Sequence, residues 1–503
     1  MNLGCVTSPS LSATSREKCN TLLLVLLGRL RLTAGSAFDL PLQMNRRELE
    51  KLERELREYV EVFVAGMGRR ERKAAMRSYV TGLLLDGDRK SVEPMASRLV
   101  DSADEVEAMR QRLLDCVGKA AWSDDEVLRR LTIKLDGELP GISALVVDDT
   151  GFPKKGRHSV GVMRQYSGTL GRTDNCQVAT SLHLAGEGVS GCIGLTLYLP
   201  EEWTKDLERC KKAGVPEDLP FRRKWEISLA QIDKALAWGV RKHVVLADAG
   251  YGDVGEYRDG LTKRGLRYVV GISGTPVVWS PESKPRILPR RLGSRGPLSN
   301  RYRDDAHPPL PIAALATALT YRKVQWREGS RKVAGKGSLR WQSSQFAAVR
   351  VRTAHLHLNG HPPGDEQWLL CERPTEGKPP KYWLSSMPAS TSLRALVANA
   401  KLRWRVERDY QELKQEVGLD HFEGRSWRGF HHHATLCAVA HGFLMVQRAL
   451  FPPAGHELDS PDGAQSASAR AHPHAGLLPT LPSGIRSRLA TARSLSAVTD
   501  AIE

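Results

Sequence analysis

The 503-residue sequence predicts an α/β protein preceded by an all-helical N-terminal domain, and three observations carry that expectation. Two short apolar runs, Ala144–Val147 and His243–Ala247, end in aspartate followed by a glycine-containing turn, the pattern of strands that deliver acids to the working edge of an α/β sheet. Ahead of them the chain shows helical periodicity only. Behind them, Asn399–Val417 contains neither Pro nor Gly and closes on Gly418, as a helix would.

Composition narrows the function classes. A hydrophobic content of 41% is ordinary for a folded protein, but a net charge of +17 is not. Such a charge favours a polyanionic partner, nucleic acid ahead of an anionic membrane. The eight cysteines form no CxxC pair, which argues against a structural zinc site or a disulfide framework. The apolar run Thr21–Leu32 is too short to span a bilayer and is interrupted by Arg29 and Arg31, so no membrane association is expected. Residues 1–43 are expected to be an upstream extension outside the fold, with Met44 as an alternative start.

In chain order, Asn45–Phe63 is a charged helix with apolar residues at Leu49, Leu52, Leu56, Tyr59 and Val60. Helical pattern continues through Arg72–Leu85, Ser91–Val100, Val106–Val117 and Asp124–Leu131, giving a helical domain over 44–135 that suits either DNA-end binding or a scaffold. A first α/β part spans 136–273. Its strand candidates are Ala144–Val147, Ser159–Met163, Gln177–Leu184, Ile193–Leu199, His243–Ala247 and Arg267–Ile272, and its helices Trp225–Trp238 and Val254–Arg264, with Asp253 as N-cap of the latter. Residues 274–387 are interrupted by basic, Pro- and Gly-rich stretches and read as a mostly β insertion. Residues 388–450 hold the late helix and a mildly apolar helix, His431–Ala449, and 451–503 read as a flexible tail. His431–His433 are expected on a basic or interfacial surface, since consecutive helix residues cannot converge on a metal.

At about 100° per residue, Arg403, Glu407 and Lys414 fall within about 40° of one another on the late helix. Val406, Tyr410, Leu413 and Val417 form the apolar stripe beside them, while Asp409, Glu412 and Glu416 point to the far side. In an isolated helix Glu407 would merely pair with Arg403. If the two acid-ending strands are parallel neighbours, however, Asp148 and Asp248 lie side by side and the helix can bring Glu407 over them. Two Mg²⁺ ions suit such a carboxylate set, because hard cations prefer oxygen ligands. Arg403 and Lys414 would hold phosphates nearby, and Lys154, Lys155 and Arg157, directly after the first acid pair, could reach DNA. Asp149 competes with Asp148, since adjacent strand residues face opposite ways.

Arg403-x3-Glu407-x6-Lys414, followed by Gly418-Leu419, resembles the catalytic-helix signature of bacterial insertion-sequence DDE transposases of the Tyr-x2-Arg-x3-Glu-x6-Lys branch. DDTGFPKKGRHSVGVMRQYSGTLGRTDNCQVATSLHLA and LADAGYGD resemble its SRSO-type subgroup. The resemblance implies a ribonuclease H-like core with a β insertion before the last catalytic helix, and it favours Asp148 over Asp149 as a ligand. It further implies a homodimer on double-stranded DNA in the bacterial cytoplasm and nucleoid, and Mg²⁺-dependent cleavage and strand transfer at transposon ends and target, with Mn²⁺ able to substitute. One departure is that Ala400 stands where the signature has Tyr, with Tyr410 as a conceivable replacement. The rivals are a non-transposing nuclease of the same fold and an inactive end-binding protein.

Overall fold

The computed structural model describes residues 46–168, 170–287, 300–327, 341–354, 357–373 and 377–450; expectations for residues 1–43 and for the tail from 451 lie outside them. Five helices open the described chain: α1 (Arg46–Val64), α2 (Arg70–Leu84), α3 (Val92–Leu99), α4 (Ala103–Gly118) and α5 (Asp124–Glu138). Serines start the last two, Ser102 accepting from Asp104 N–H and Ser123 from Glu126 N–H. Strands β1 (Ile142–Pro153), β2 (Met163–Ser167), β3 (Arg172–Gly186) and β4 (Ser190–Leu197) follow, then α6 (Glu201–Lys205), α7 (Leu207–Ala213) and α8 (Lys224–Ala237). Next come β5 (Val244–Ala247), α9 (Ala249–Gly252), α10 (Gly255–Lys263) and β6 (Tyr268–Ile272). The segment after β6 holds β7 (Val277–Trp279), β8 (Arg286–Ile287), β9 (Tyr302–Arg303), β10 (Leu310–Pro311) and α11 (Ile312–Thr317). It continues with β11 (Arg322–Arg327), β12 (Trp341–Thr353), β13 (Glu366–Arg373) and β14 (Lys381–Ser385). The described chain closes with α12 (Leu393–Leu402), α13 (Trp404–Gln415) and α14 (Trp427–Leu450).

Twelve of these strands form one mixed sheet in the order β10-β7-β12-β13-β14-β6-β5-β1-β3-β2, with β4 also on β3 and β11 on β12. Its centre is antiparallel β1–β3–β4 and parallel β1–β5–β6, an arrangement consistent with a ribonuclease H-like nuclease fold. The later β segment continues the same sheet, because β14 adds antiparallel to β6 and thereby covers what would be an open edge.

Alternation along β1 sends its residues to two cores. Leu145 and Val147 join the N-terminal helices and α14 in one apolar cluster, while Ala144 and Val146 pack with Leu396, Val397, Ala400 and Val406 of α12 and α13 in the other. The N-terminal helices dock on α14 through buried polar contacts as well: the Tyr59 hydroxyl donates to Val439 O at 3.0 Å.

Four local expectations are corrected. His431, His432 and His433 are buried, not on a surface. Trp122 stacks on His432 at 3.7 Å, the Tyr79 hydroxyl meets His433 Nδ1 at 2.9 Å, and Leu197 N–H donates to His431 Nε2. Burial lowers all three pKa values, those of His432 and His433 to about 4, so the trio is not basic. Ser159–Met163 is a turn held by Val162 N–H on Ser159 O, and the strand begins only at Met163. Asp253 caps no helix start; it accepts Ser273 N–H at 2.8 Å, and Val254 precedes α10. The late helix is divided at Arg403, where Val406 N–H bonds to Arg403 O in a tightened turn. Gly418, at φ 77°, terminates it as expected.

Gly252, at the end of α9, lies where a Cβ would clash with Gly271 O of β6. Gly252→Ala is therefore expected to destabilise the fold by about 1–3 kcal/mol through overpacking. Urea unfolding measures this; an unchanged midpoint would show that α9 has room to move.

Candidate active site

The site begins on β1, where it runs past the end of β5. The parallel pairing of Ala144, Leu145 and Val146 with Val244, Val245 and Leu246 runs on toward Asp148 at the far part of β1 and Asp248 just past β5. Asp248 caps α9, accepting Gly250 N–H at 3.0 Å, which fixes one carboxylate oxygen. Asp148 pairs in register with Ser181 of β3, and its Oδ1 accepts the N–H of Asp149 at 2.8 Å.

Arg403 joins the strand to the helix. Its guanidinium donates to Asp148 Oδ2 at 2.6 Å and reaches Glu407 Oε1 at 3.4 Å. The Asp148 side chain is 14% exposed and that of Glu407 68%, so the ladder runs from a half-enclosed floor to open solvent. Burial pushes the Asp148 carboxyl up to about 6; Arg403 opposes this, and the Asp248 charge adds to it. Burial opposes the charge on Arg403, but the carboxylates of Asp148, Asp248 and Glu407 hold its pKa up.

The two members of the acid pair are used differently. Asp149 faces the other side of the sheet, where Lys224 binds it at 2.8 Å, the Tyr251 hydroxyl at 2.5 Å and the Thr180 hydroxyl at 3.2 Å. Those three donors satisfy it as a structural carboxylate, whereas Asp148 opens toward Arg403. Among the cations expected to meet DNA, Lys414 donates to Gly151 O at 2.9 Å and Lys154 to Phe422 O at 2.8 Å. Burial lowers the pKa of both. Lys155 and Arg157 are exposed. Ala400 is buried in the α12 core, and the Tyr410 hydroxyl is engaged at 2.5 Å by Ser181 on the sheet face that carries Asp148.

Among the described residues no three His, Cys, Asp or Glu side chains are placed so that together they could hold a metal ion. The donor chemistry still suits a hard cation: the acids offer oxygen only, Asp148 is destabilised by a like charge, and a cationic guanidinium already lies against it. Sequence reasoning missed His183, Asp409 and Glu412, which form buried ion pairs. Burial disfavours the charge on Glu412, yet His441 and Arg448 keep its pKa well below the usual range. Burial likewise opposes protonation of His183, but Cys192 and Asp409 hold its pKa up at about 10. The available signal was a lone His in the otherwise apolar strand SLHLA.

The chain matches the DDE superfamily endonuclease model over residues 62–333, more than half its length. It belongs to that family. The matched region contains Asp148 and Asp248 and stops short of Arg403, Glu407 and Lys414. Over 148 residues the chain is 35% identical to a Microchaete diplosiphon protein named "Probable transposase for insertion sequence element IS701", covering 29% of this chain and 34% of that relative. The similarity thus spans about a third of the relative's length. Among the described residues no helix is long and apolar enough to cross a membrane.

The raised Asp148 pKa sets a sign for stability. A carboxyl whose folded pKa lies above its unfolded value of about 3.8 contributes stability below that value and loses it as pH rises through about 6. In metal-free buffer, the unfolding free energy of wild type minus that of Asp148→Asn should fall by up to about 3 kcal/mol between roughly pH 4 and 6.5. Paired urea titrations test it, and a difference that stays flat would remove the electrostatic account of the site.

Proposed function

We propose that this DDE endonuclease is a transposase that cuts DNA at the ends of its element and joins the freed 3′-hydroxyl to target DNA. The observation that carries the reading is the ladder Asp148–Arg403–Glu407 standing beside Asp248, with Asp148 within β1 and Asp248 just past the end of its parallel neighbour β5. Asp148, Asp248 and Glu407 are the residues that would hold two Mg²⁺ ions, or Mn²⁺ in their stead. Bound there, the ions supply charge neutralisation at the scissile phosphate and a lowered pKa for the attacking water.

The chain's own residues perform the remaining work. The fork of Arg403 orients a phosphate by two parallel hydrogen bonds, and Lys414 adds a point charge about three turns further along the chain. Lys154, Lys155 and Arg157 hold the backbone beyond the cut. In hydrolysis the water oxygen bonds to phosphorus and the 3′-oxygen leaves as a hydroxyl after taking a proton. In transfer that hydroxyl attacks a target phosphodiester, forming one P–O bond as another breaks, so no covalent protein–DNA link is needed. Pairing two ends requires a homodimer on double-stranded DNA, in the bacterial cytoplasm and nucleoid.

Cleavage of a labelled duplex carrying the element's ends, with Mg²⁺, is the direct test. Wild type should nick and then form joined products. Asp248→Ala and Glu407→Gln should lose cutting by at least about 100-fold while still binding the duplex, as expected when an electrostatic contribution to the transition state is removed. Nicks without joined products would favour the non-transposing nuclease, and binding without any cutting would leave the inactive end-binder.

A further inference from the structure

Beyond Glu407 on α13, the next buried side chains turn away from the cleft and into the sheet. Asp409 Oδ2 meets His183 Nδ1 at 2.7 Å, and Asp409 Oδ1 accepts the Ser190 hydroxyl at 2.5 Å. His183 Nε2 lies 3.0 Å from Ser181 Oγ, which lies 2.5 Å from the Tyr410 hydroxyl. The Ser181 hydroxyl also points at Asp148 O, 3.4 Å away. Ser181 and His183 stand opposite Asp148 and Val146 in the β1–β3 ladder, so all four side chains share one face of the sheet. The network therefore starts two residues past Glu407 and ends against the main chain of Asp148.

Its order, Ser–His–Asp, is that of an activated nucleophile, but its burial forbids that role. Ser181 and His183 are fully buried and Asp409 is 1% exposed. The nearby apolar contacts of α13, Val406 and Leu413, hold the helix on the sheet without fixing where along the sheet it sits, because burial of area is non-directional. Hydrogen bonds are directional and short-ranged, and a slip of a single turn, about 5.4 Å, would break every one of them.

Building on the transposase reading, we propose that the Asp409–His183–Ser181–Tyr410 network is a positioning device that sets the height of Glu407 and Arg403 over Asp148, so that the carboxylates can take up a divalent cation together. The network holds the helix from below by two adjacent residues, Asp409 and Tyr410, and leaves the upper face open for DNA.

Three variants separate positioning from folding. His183→Asn keeps a donor where Nδ1 meets Asp409, His183→Gln keeps one where Nε2 meets Ser181, and Tyr410→Phe removes a hydroxyl alone. Each is compared with wild type by thermal melting, by Mn²⁺ titration calorimetry without DNA, and by kcat and KM for end cleavage. His183→Gln, which cuts the tie from His183 to Asp409, should weaken Mn²⁺ binding and lower kcat by about 10- to 100-fold, the range seen when residues supporting metal ligands are lost. KM for DNA should be unchanged, and His183→Asn should recover most of both losses. Folded variants with wild-type Mn²⁺ affinity and kcat would overturn the proposal, as would a wild type that takes up no Mn²⁺. Mn²⁺ binding that weakens in the variants while wild type cuts no DNA would support the network and sink the transposase reading instead.

Discussion

Two carboxylates carried by neighbouring parallel strands, Asp148 within β1 and Asp248 just past β5, repel one another, and much of the surrounding structure compensates for that. Asp148 and Asp248 cannot move apart, since β1 and β5 are locked in register. Their charge is balanced by Arg403, inserted at the break between α12 and α13. The helix that supplies the guanidinium also supplies Glu407, so the compensating cation and the third acid arrive as one rigid piece. Glycines at α9 serve the same end: Gly250 N–H binds Asp248, and the lack of a side chain at Gly252 lets that turn lie against β6.

The sheet separates adjacent residues of like chemistry. Asp149, one residue from Asp148, is consumed by Lys224, Tyr251 and Thr180 on the opposite face. Asp409, two residues from Glu407, is consumed by His183 and Ser190. On α13 helix periodicity decides that Glu407 meets solvent and Asp409 a buried donor, whereas on β1 strand alternation decides which partners each acid meets, Asp149 being the more exposed of the two.

Much of this was legible in the sequence because it is local. Ala144–Val147 and Val244–Ala247 are strand where expected, although His243 precedes β5 and β1 runs on through both acids to Pro153 where a turn was expected; of the apolar stripe, Val406, Leu413 and Val417 are buried and Tyr410 half-buried. What was illegible depends on partners far away in the chain. His431–His433 read as surface because nothing near them in sequence announces that Trp122, Tyr79 and the β4 backbone will enclose them. Asp409 and Glu412 read as the far side of an amphipathic helix, but that side meets β3, β4 and α14, whose His183, Ser190, His441 and Arg448 make burial of charge tolerable. Arg403 was read as a phosphate contact; its bond to Asp148 required knowing the cross-sheet geometry.

The hydrogen bond from Tyr59 to Val439 joins residues 380 positions apart. At roughly 5–20 residues per second, the ribosome needs on the order of 20–80 s to deliver the second partner after the first. During that interval the opening helices present an unfilled apolar seat, and α13, with Glu407, has not been made. Because α13 and α14 follow one another directly, a nascent chain receives Glu407 and the helix that closes this core almost together.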